Sequence, residues 1–246
     1  MTNNLPLTDR ASERPIAAIE RGLAVLDAFL DGTPTRSVPE LAAQTGLSPA
    51  SVARILATLE AGGYAQPGAA PDARAPRWQV GPMPLRLTNR FRQGMQLEDI
   101  VPPILRELVR ATGESASYFV ARGRLRINLY RVLSPQAVRD HGAPGDVAPR
   151  DSGAAGAVFR THLRVPGSAG AAARRPLVLV RPDLHPGMTG MASPVFGPDA
   201  ECVGAIALTG PSARFDRAAL ARWQPLLRAA ARTLTERIGG DGRRFG

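Results

Sequence analysis

The amino-acid sequence predicts an α+β fold in two parts joined by a helix, and three observations carry that expectation. Near the N-terminus, Ala42, Gly46, Val52 and Ile55 fall at offsets 0, 4, 10 and 13. A helix-turn-helix needs that pattern: a small residue where the helices touch, a glycine in the turn, and apolar residues locking the second helix. Directly afterwards, Tyr64-Ala65-Gln66 and Arg77-Trp78-Gln79-Val80-Gly81 flank a segment rich in Pro, Gly and Ala, in the position of a hairpin wing. Beyond residue 98, strands and helices mix without regular βαβ alternation, which points to helices around an antiparallel sheet.

The first helix begins near Pro15, with Ile16, Ile19, Leu23, Leu26 and Leu30 as its apolar stripe, and Asp31-Gly32-Thr33-Pro34 stops it. Ser37 and Glu40 form a capping box for a short helix that Gly46 ends. Ser48-Pro49 starts the next helix with an N-cap and a first-turn proline. That helix buries Val52, Ile55, Leu56 and Leu59 and stops at Gly62-Gly63. Residues 82–97 read as a linker helix carrying Leu85, Leu87, Phe91 and Met95.

In the second part, Ile100, Ile104, Leu105 and Leu108 mark a helix closed by Gly113. Strands follow over residues 117–121 and 125–132, turning at Arg122-Gly123, and a helix covers residues 153–161. Further strands are expected over residues 177–180, 191–196 and 203–209, the last two joined at Gly197-Pro198-Asp199. A long helix over residues 215–238 closes the fold. The expected organisation is thus a disordered arm (1–14), a winged helix-turn-helix (15–81), a linker helix (82–97) and an α+β domain (98–246).

Composition excludes several chemistries. All 31 basic residues are arginine, so there is no lysine for a Schiff base or a phosphate-binding P-loop. The single cysteine, Cys202, allows no disulfide within the chain, and His141, His162 and His185 are too widely spaced to pair as metal ligands. Neither G-x-S-x-G nor G-x-G-x-x-G nor H-E-x-x-H occurs, so no enzyme, cofactor or metal is expected. No apolar run reaches the ~18 residues of a spanning helix, and no signal pattern opens the chain, so the expected location is the cytoplasm, away from membranes.

The element order and several strings resemble the IclR family of bacterial transcription regulators. They are Ala24-Val25-Leu26-Asp27, Glu40-Leu41-Ala42 with Gly46-Leu47, and the run 51–60 closing at Gly63-Tyr64. In the second part they are Pro103-Ile104-Leu105-Arg106-Glu107-Leu108, Arg150-Asp151-Ser152-Gly153-Ala154-Ala155-Gly156, Gly187 with Met191-Ala192-Ser193-Pro194-Val195, and the run 205–211. The resemblance implies a winged helix-turn-helix, a linker helix and a GAF-like effector-binding domain. It further implies a homodimer or dimer of dimers that binds palindromic double-stranded DNA and answers to a small organic, often aromatic, acid.

On that basis the second helix of the motif enters the major groove with Ser48, Ala50, Ser51 and Arg54 on its reading face. Arg77 on the wing, and Arg36 with Ser37 at a helix N-terminus, are expected at phosphates or the minor groove. The sequence departs from the family at Pro49, where a basic residue is usual, and at Ala50, where a hydroxyl is usual. For the effector, Gly153 and Ala154 match the pair whose backbone amides hold a carboxylate, and Thr209 matches a ligand-contacting serine. Asp151 and Ser152 are candidate polar contacts, and Met188 and Met191 candidate lining. Gly190 stands where a cysteine is common, Ala207 where a second serine is, and only Asp183 remains of an acidic stretch. These departures predict a larger or more apolar effector, or a regulator that answers to none; a hydrolase using Asp151, Ser152 and a histidine is the remote alternative.

The net charge of +10 is uneven. Residues 48–96 hold six Arg against two acids, whereas residues 122–182 hold eleven Arg against three. A solvated arginine-rich face accounts for that second surplus, unless part of it draws an anionic effector or offsets an acidic partner surface.

Overall fold

The computed structural model describes residues 16–68, 76–95, 97–163, 179–183 and 185–246. The expected N-terminal arm, Pro15, the tip of the wing and the first two residues of the 177–180 strand lie outside the described residues. The chain divides into two compact units, with the boundary between Met95 and Gln96.

The first unit runs α1 (Ala17–Asp27), β1 (Arg36–Ser37), α2 (Val38–Thr45), α3 (Pro49–Ala61), β2 (Ala65–Gly68), β3 (Arg77–Val80) and α4 (Met83–Met95). Local chemistry sets its boundaries. Ser37 and Glu40 complete the capping box, Gly46 ends α2 in the left-handed region at φ 71°, and Ser48 caps α3 by accepting from the Ser51 amide. Gly46 is needed there because a Cβ disfavours that conformation. The core is Val25, Ala28, Phe29, Leu41, Ala42, Val52, Leu56 and Ala65, with Leu47, Ile55, Leu59 and Trp78 packed partly against it. The wing pairs Ala65 with Val80 and Gly68 with Arg77, and β1 adds a third strand on the far edge of β3.

The first helix corrects the sequence reading. Its buried residue is Val25, with Ala28 and Phe29 buried just past its end, while Ile16, Ile19, Leu23 and Leu30 are 51–72% exposed. Helical periodicity identified an apolar stripe but not what covers it. The small residues Ala18 and Gly22 line the groove toward α3 instead.

The second unit contains α5 (Val101–Thr112), β4 (Ser115–Arg122), β5 (Leu125–Val132), β6 (Val147–Pro149), α6 (Gly153–His162), β7 (Leu179–Pro182), β8 (Met188–Phe196), β9 (Cys202–Pro211) and α7 (Arg217–Arg237). The strands form one antiparallel sheet in the order β6-β5-β4-β9-β8-β7. The sequence reading lacked only the short β6.

The sheet has two distinct faces. A Cβ built on Gly190 would meet the Ala154 methyl of α6 at 3.4 Å, so Gly190 and its partner Thr209 face α6. Gly210, one residue on, points the other way, to Phe215, whose ring packs edge-on against Trp223 of α7 at 5.2 Å. Met191 alternates with Gly190 and is fully buried on the α7 face. It packs in the core there.

Candidate nucleic-acid interface and anion site

The exposed face of α3 carries Ser48, Ala50, Ala53, Arg54 and Ala57. Ser48 and Ser51 share a hydroxyl contact of 2.9 Å, and Ser51 also sits in the α1–α3 groove. The Arg54 guanidinium donates no hydrogen bond and makes no ion pair among the described residues, so its donors are open to an external acceptor. Arg21 of α1 lines the same groove as Ser51, Arg54 and Thr58. Sequence reasoning passed over Arg21 because it lies on a different helix, 33 positions upstream of Arg54.

Three other expected contacts are turned inward. Arg77 donates through Nε to Thr35 Oγ1 at 2.8 Å, and through Nη2 to the Thr35 carbonyl at 2.7 Å and Glu40 Oε2 at 3.0 Å. Arg36 is ion-paired to Asp31 and bonded to Thr33. Buried Ser37 spends its hydroxyl on the Glu40 amide, and its own amide donates to Glu40 Oε2 at 2.7 Å. That Ser37 amide is the main reason the Glu40 carboxyl titrates below its ordinary value, with the Arg77 charge assisting. The three residues assigned to phosphate instead knot the wing to the capped start of α2, because their donors meet acceptors of the same unit at hydrogen-bond distance.

In the second unit, Gly153, Ala154, Gly190 and Thr209 come together where α6 begins. A Cβ on Gly190 would stand 3.7 Å from Thr209 Oγ1 as well as against Ala154. Met188 opens the same strand face, half-buried, two residues before Gly190. Asp151 does not join them as a polar contact: its half-exposed carboxylate accepts from Arg150 Nε at 3.1 Å. Ser152 Oγ donates to the Pro149 carbonyl at 2.6 Å and accepts from Arg126 Nε at 3.3 Å. A hydrolase arrangement would need a histidine on that hydroxyl, and arginine is there instead. His162 is buried in the last turn of α6 with its ring edge-on to Phe196 at 5.7 Å.

The residues that sequence reasoning missed lie on β5. Arg126, Asn128 and Arg131 share the α6 face with Ser117 and Phe119. Strict alternation would place Arg131 on the face opposite Arg126. A bulge between the Tyr118–Tyr130 and Phe119–Asn128 pairs leaves Leu129 unpaired and resets the alternation. Arg131 donates to Ser117 Oγ at 3.0 Å and pairs with Asp140 at 2.5 Å. Burial alone would raise the Asp140 carboxyl, but Arg131 and the Gly142 amide outweigh it and hold the group below its ordinary value. Arg126 lies over the Phe119 ring at 4.5 Å and stands 3.8 Å from Asp183. The only sequence signal was polar alternation in Leu125-Arg126-Ile127-Asn128, which also describes a solvated strand face. Among the described residues, no group of three or more His, Cys, Asp or Glu is placed to hold a metal ion, and no helix is long and apolar enough to cross a membrane.

Comparison with known proteins bears on both units. A family model of the IclR helix-turn-helix domain matches residues 18–68. The HTH-type transcriptional regulator BhcR of Paracoccus denitrificans is 26% identical over an alignment of 246 residues, covering 89% of this chain and 86% of BhcR. The structure of an IclR transcriptional regulator from Alicyclobacillus acidocaldarius superposes with a TM-score of 0.72 at 19% identity, over 92% of this chain and 100% of that one. An IclR homolog from Microbacterium hydrocarbonoxydans, solved in complex with 4-hydroxybenzoate, gives a TM-score of 0.72 at 14% identity, over 90% and 99%. At such identities the structural likeness bears on the fold.

Proposed function

We propose that this chain is a DNA-binding transcriptional regulator of the IclR family, to whose helix-turn-helix model and members it is similar, and that it reads its operator through α3 as a homodimer and releases or grips it in response to an organic acid bound beside α6. The observation that carries the DNA reading is the contrast between arginines. Arg36 and Arg77 are consumed inside the fold, whereas Arg54 presents unengaged donors beside Ser48, Ala50 and Ser51. An arginine at the N-terminal half of a recognition helix reaches guanine edges or phosphates. With alanines at positions 50, 53 and 57, few other side chains on this face can hydrogen-bond to bases. Readout rests on Arg54, on Arg21 at the groove, and on DNA shape.

A second copy of the chain is the partner that the exposed apolar residues favour. Ile16, Ile19, Leu23 and Leu30 at α1 and Leu85, Leu87 and Phe91 on α4 are all more than half exposed. Clusters of that kind mark interaction surfaces. A two-fold dimer places two α3 helices on half-sites about 34 Å apart, which calls for a palindromic operator.

The test is fluorescence anisotropy on DNA from upstream of the protein's own gene, with and without 4-hydroxybenzoate as the first aromatic probe. Wild-type protein binds, the acid changes the affinity, and Arg54→Ala weakens binding by about 1–3 kcal/mol with its circular dichroism unchanged. Level affinity in Arg54→Ala would refute the assignment of α3. Sedimentation of Leu23→Glu should give monomer where the wild type gives dimer.

A further inference from the structure

Most hydrogen-bonding groups on the outer face of α3 are engaged within the helix itself. The Ser48 hydroxyl accepts from the Ser51 amide at 3.2 Å and shares a contact of 2.9 Å with the Ser51 hydroxyl. Thr58 Oγ1 donates to the Arg54 carbonyl at 3.0 Å. The helix contains no Asn, Gln or Lys, and its one carboxylate, Glu60, lies in the last turn, away from the N-terminal half that meets base edges. Among the described residues, Arg54 is the one hydrogen-bonding side chain of this face with every donor open.

What this face presents instead is methyl groups. Ala50, Ala53 and Ala57 are all exposed, at spacings of three and four residues that align them along one side of the helix, whereas Val52 and Leu56 are buried. At 1.5 Å of rise per residue the row is about 10 Å long, the height of about three stacked base pairs. Alanine favours a helix on any surface, and a row of alanines by itself marks nothing. The helix-turn-helix fixes where this row lies, on the helix that such a motif presents to the major groove. The C5 methyl of thymine is the apolar group that a base pair displays in that groove, and alanine is among the side chains that pack on it. Without Asn or Gln, the face cannot take adenine by a bidentate pair, so a T·A pair is distinguished there through its methyl.

We infer that Ala50, Ala53 and Ala57 read thymines through their methyl groups, so that the operator carries a short run of T·A pairs under α3, about three in length, beside the base or phosphate that Arg54 engages. Short side chains suit this role, because they let the helix backbone approach the base edges until methyl meets methyl. The inference rests on the reading that α3 enters the groove, and it adds what α3 recognises there: apolar contact with thymine carries the sequence preference, with Arg54 as the one strong hydrogen-bonding arm.

Fluorescence anisotropy on the full chain tests it with two duplexes of the operator footprinted upstream of the protein's own gene. One is natural; in the other, deoxyuridine replaces each protected thymine, which removes the methyl and keeps every hydrogen-bonding group. Wild type should bind the deoxyuridine duplex more weakly, by about three- to fourfold for each thymine contacted, the effect of one methyl taken out of water. Ala53→Gly and Ala57→Gly each delete one protein methyl and should lose part of that penalty. Arg54→Ala should weaken binding to both duplexes alike and keep the penalty. Circular dichroism melts establish that each variant folds, and because the two duplexes are compared on one protein, a partial loss of stability cancels. Equal affinity of wild type for the two duplexes overturns the thymine reading while leaving DNA binding through α3 intact. A penalty of the same size in wild type and both glycine variants assigns the methyls to DNA shape or to another element, and overturns the role of the alanines. A footprint with no thymine in its protected half-sites overturns the inference as well. If wild type binds no such DNA, or Arg54→Ala binds it as wild type does, the assignment of α3 itself falls and this inference with it.

Discussion

Replacing Arg77 by methionine separates a structural arginine from a DNA-contacting one. Methionine keeps most of the aliphatic stem and deletes the hydrogen bonds to Thr35 Oγ1 (2.8 Å), the Thr35 carbonyl (2.7 Å) and Glu40 (3.0 Å). Hydrogen bonds from a charged donor contribute about 1.5–3 kcal/mol each when buried. The Arg77 and Glu40 side chains are 25% and 44% exposed, so solvent screening leaves the ion pair at the surface value of about 0–1 kcal/mol. The two Thr35 bonds are only part-buried and so worth about 1–1.5 kcal/mol each; they dominate, and a total loss of about 2–3 kcal/mol is expected, or roughly 10–20 °C in the melting of a domain of this size. Melting followed by far-ultraviolet circular dichroism checks the stability. Salt titration of DNA binding by anisotropy checks the contact: Arg77→Met should leave the slope of log K against log salt unchanged, whereas Arg54→Met should reduce it by about one if Arg54 meets a phosphate. If Arg77→Met melts like wild type and lowers the slope by one charge, the wing arginine is on the DNA and the inward knot is not what holds it.

Two glycines should behave oppositely. A Cβ at Gly81 would lie 2.3 Å from the Gly63 carbonyl oxygen, a backbone atom that cannot swing away, so Gly81→Ala should destabilise the wing by about 1–3 kcal/mol in urea melts. At Gly190 the same atom meets Ala154 at 3.4 Å, so Gly190→Ala should stay within about 0.5 kcal/mol of wild type. Burial pushes the Cys202 thiol up to about 12, so an aromatic disulfide reagent at pH 8 should leave the folded protein unlabelled and label it in denaturant. The depressed Glu40 and Asp140 carboxyls contribute stability that is present above the ordinary carboxylate pKa and is lost as pH falls through their lower folded values. Urea midpoints should therefore drop on acidification from the ordinary carboxylate pKa downward, and less steeply in Glu40→Gln.

Much of the first unit was legible because its signals are local. The Ser37–Glu40 box, the Ser48-Pro49 start, the glycine at 46 and the spacing from Ala42 to Ile55 all act within one turn or one helix pair. The reading faltered where a side chain's partner lies far along the chain. Arg77 meets Thr35, 42 positions away, and no pattern around either residue announces it. Arg126 meets Ser152, 26 positions away, only because β5 turns back through β6 into the start of α6. The α1 stripe failed for a related reason: periodicity reports that a face is apolar, while what covers that face is a property of the assembled core.

The sequence by itself determined the order and type of most elements, all but the short β1 and β6, together with the helix-turn-helix and its wing, the absence of lysine chemistry, and the glycine–alanine pair at the head of α6. Those follow from hydrogen bonds and sterics spanning a few residues, which any fold containing the segment must respect. Tertiary structure alone decided which of the arginines remain available. The sheet order and the Leu129 bulge bring Arg126, Asn128 and Arg131 onto one buried face, where Arg131 pairs with Asp140 and Arg126 with Asp183. Charge counted along the chain cannot show this, because the free energy of a buried cation depends on the acceptors that the fold brings within hydrogen-bond distance of it.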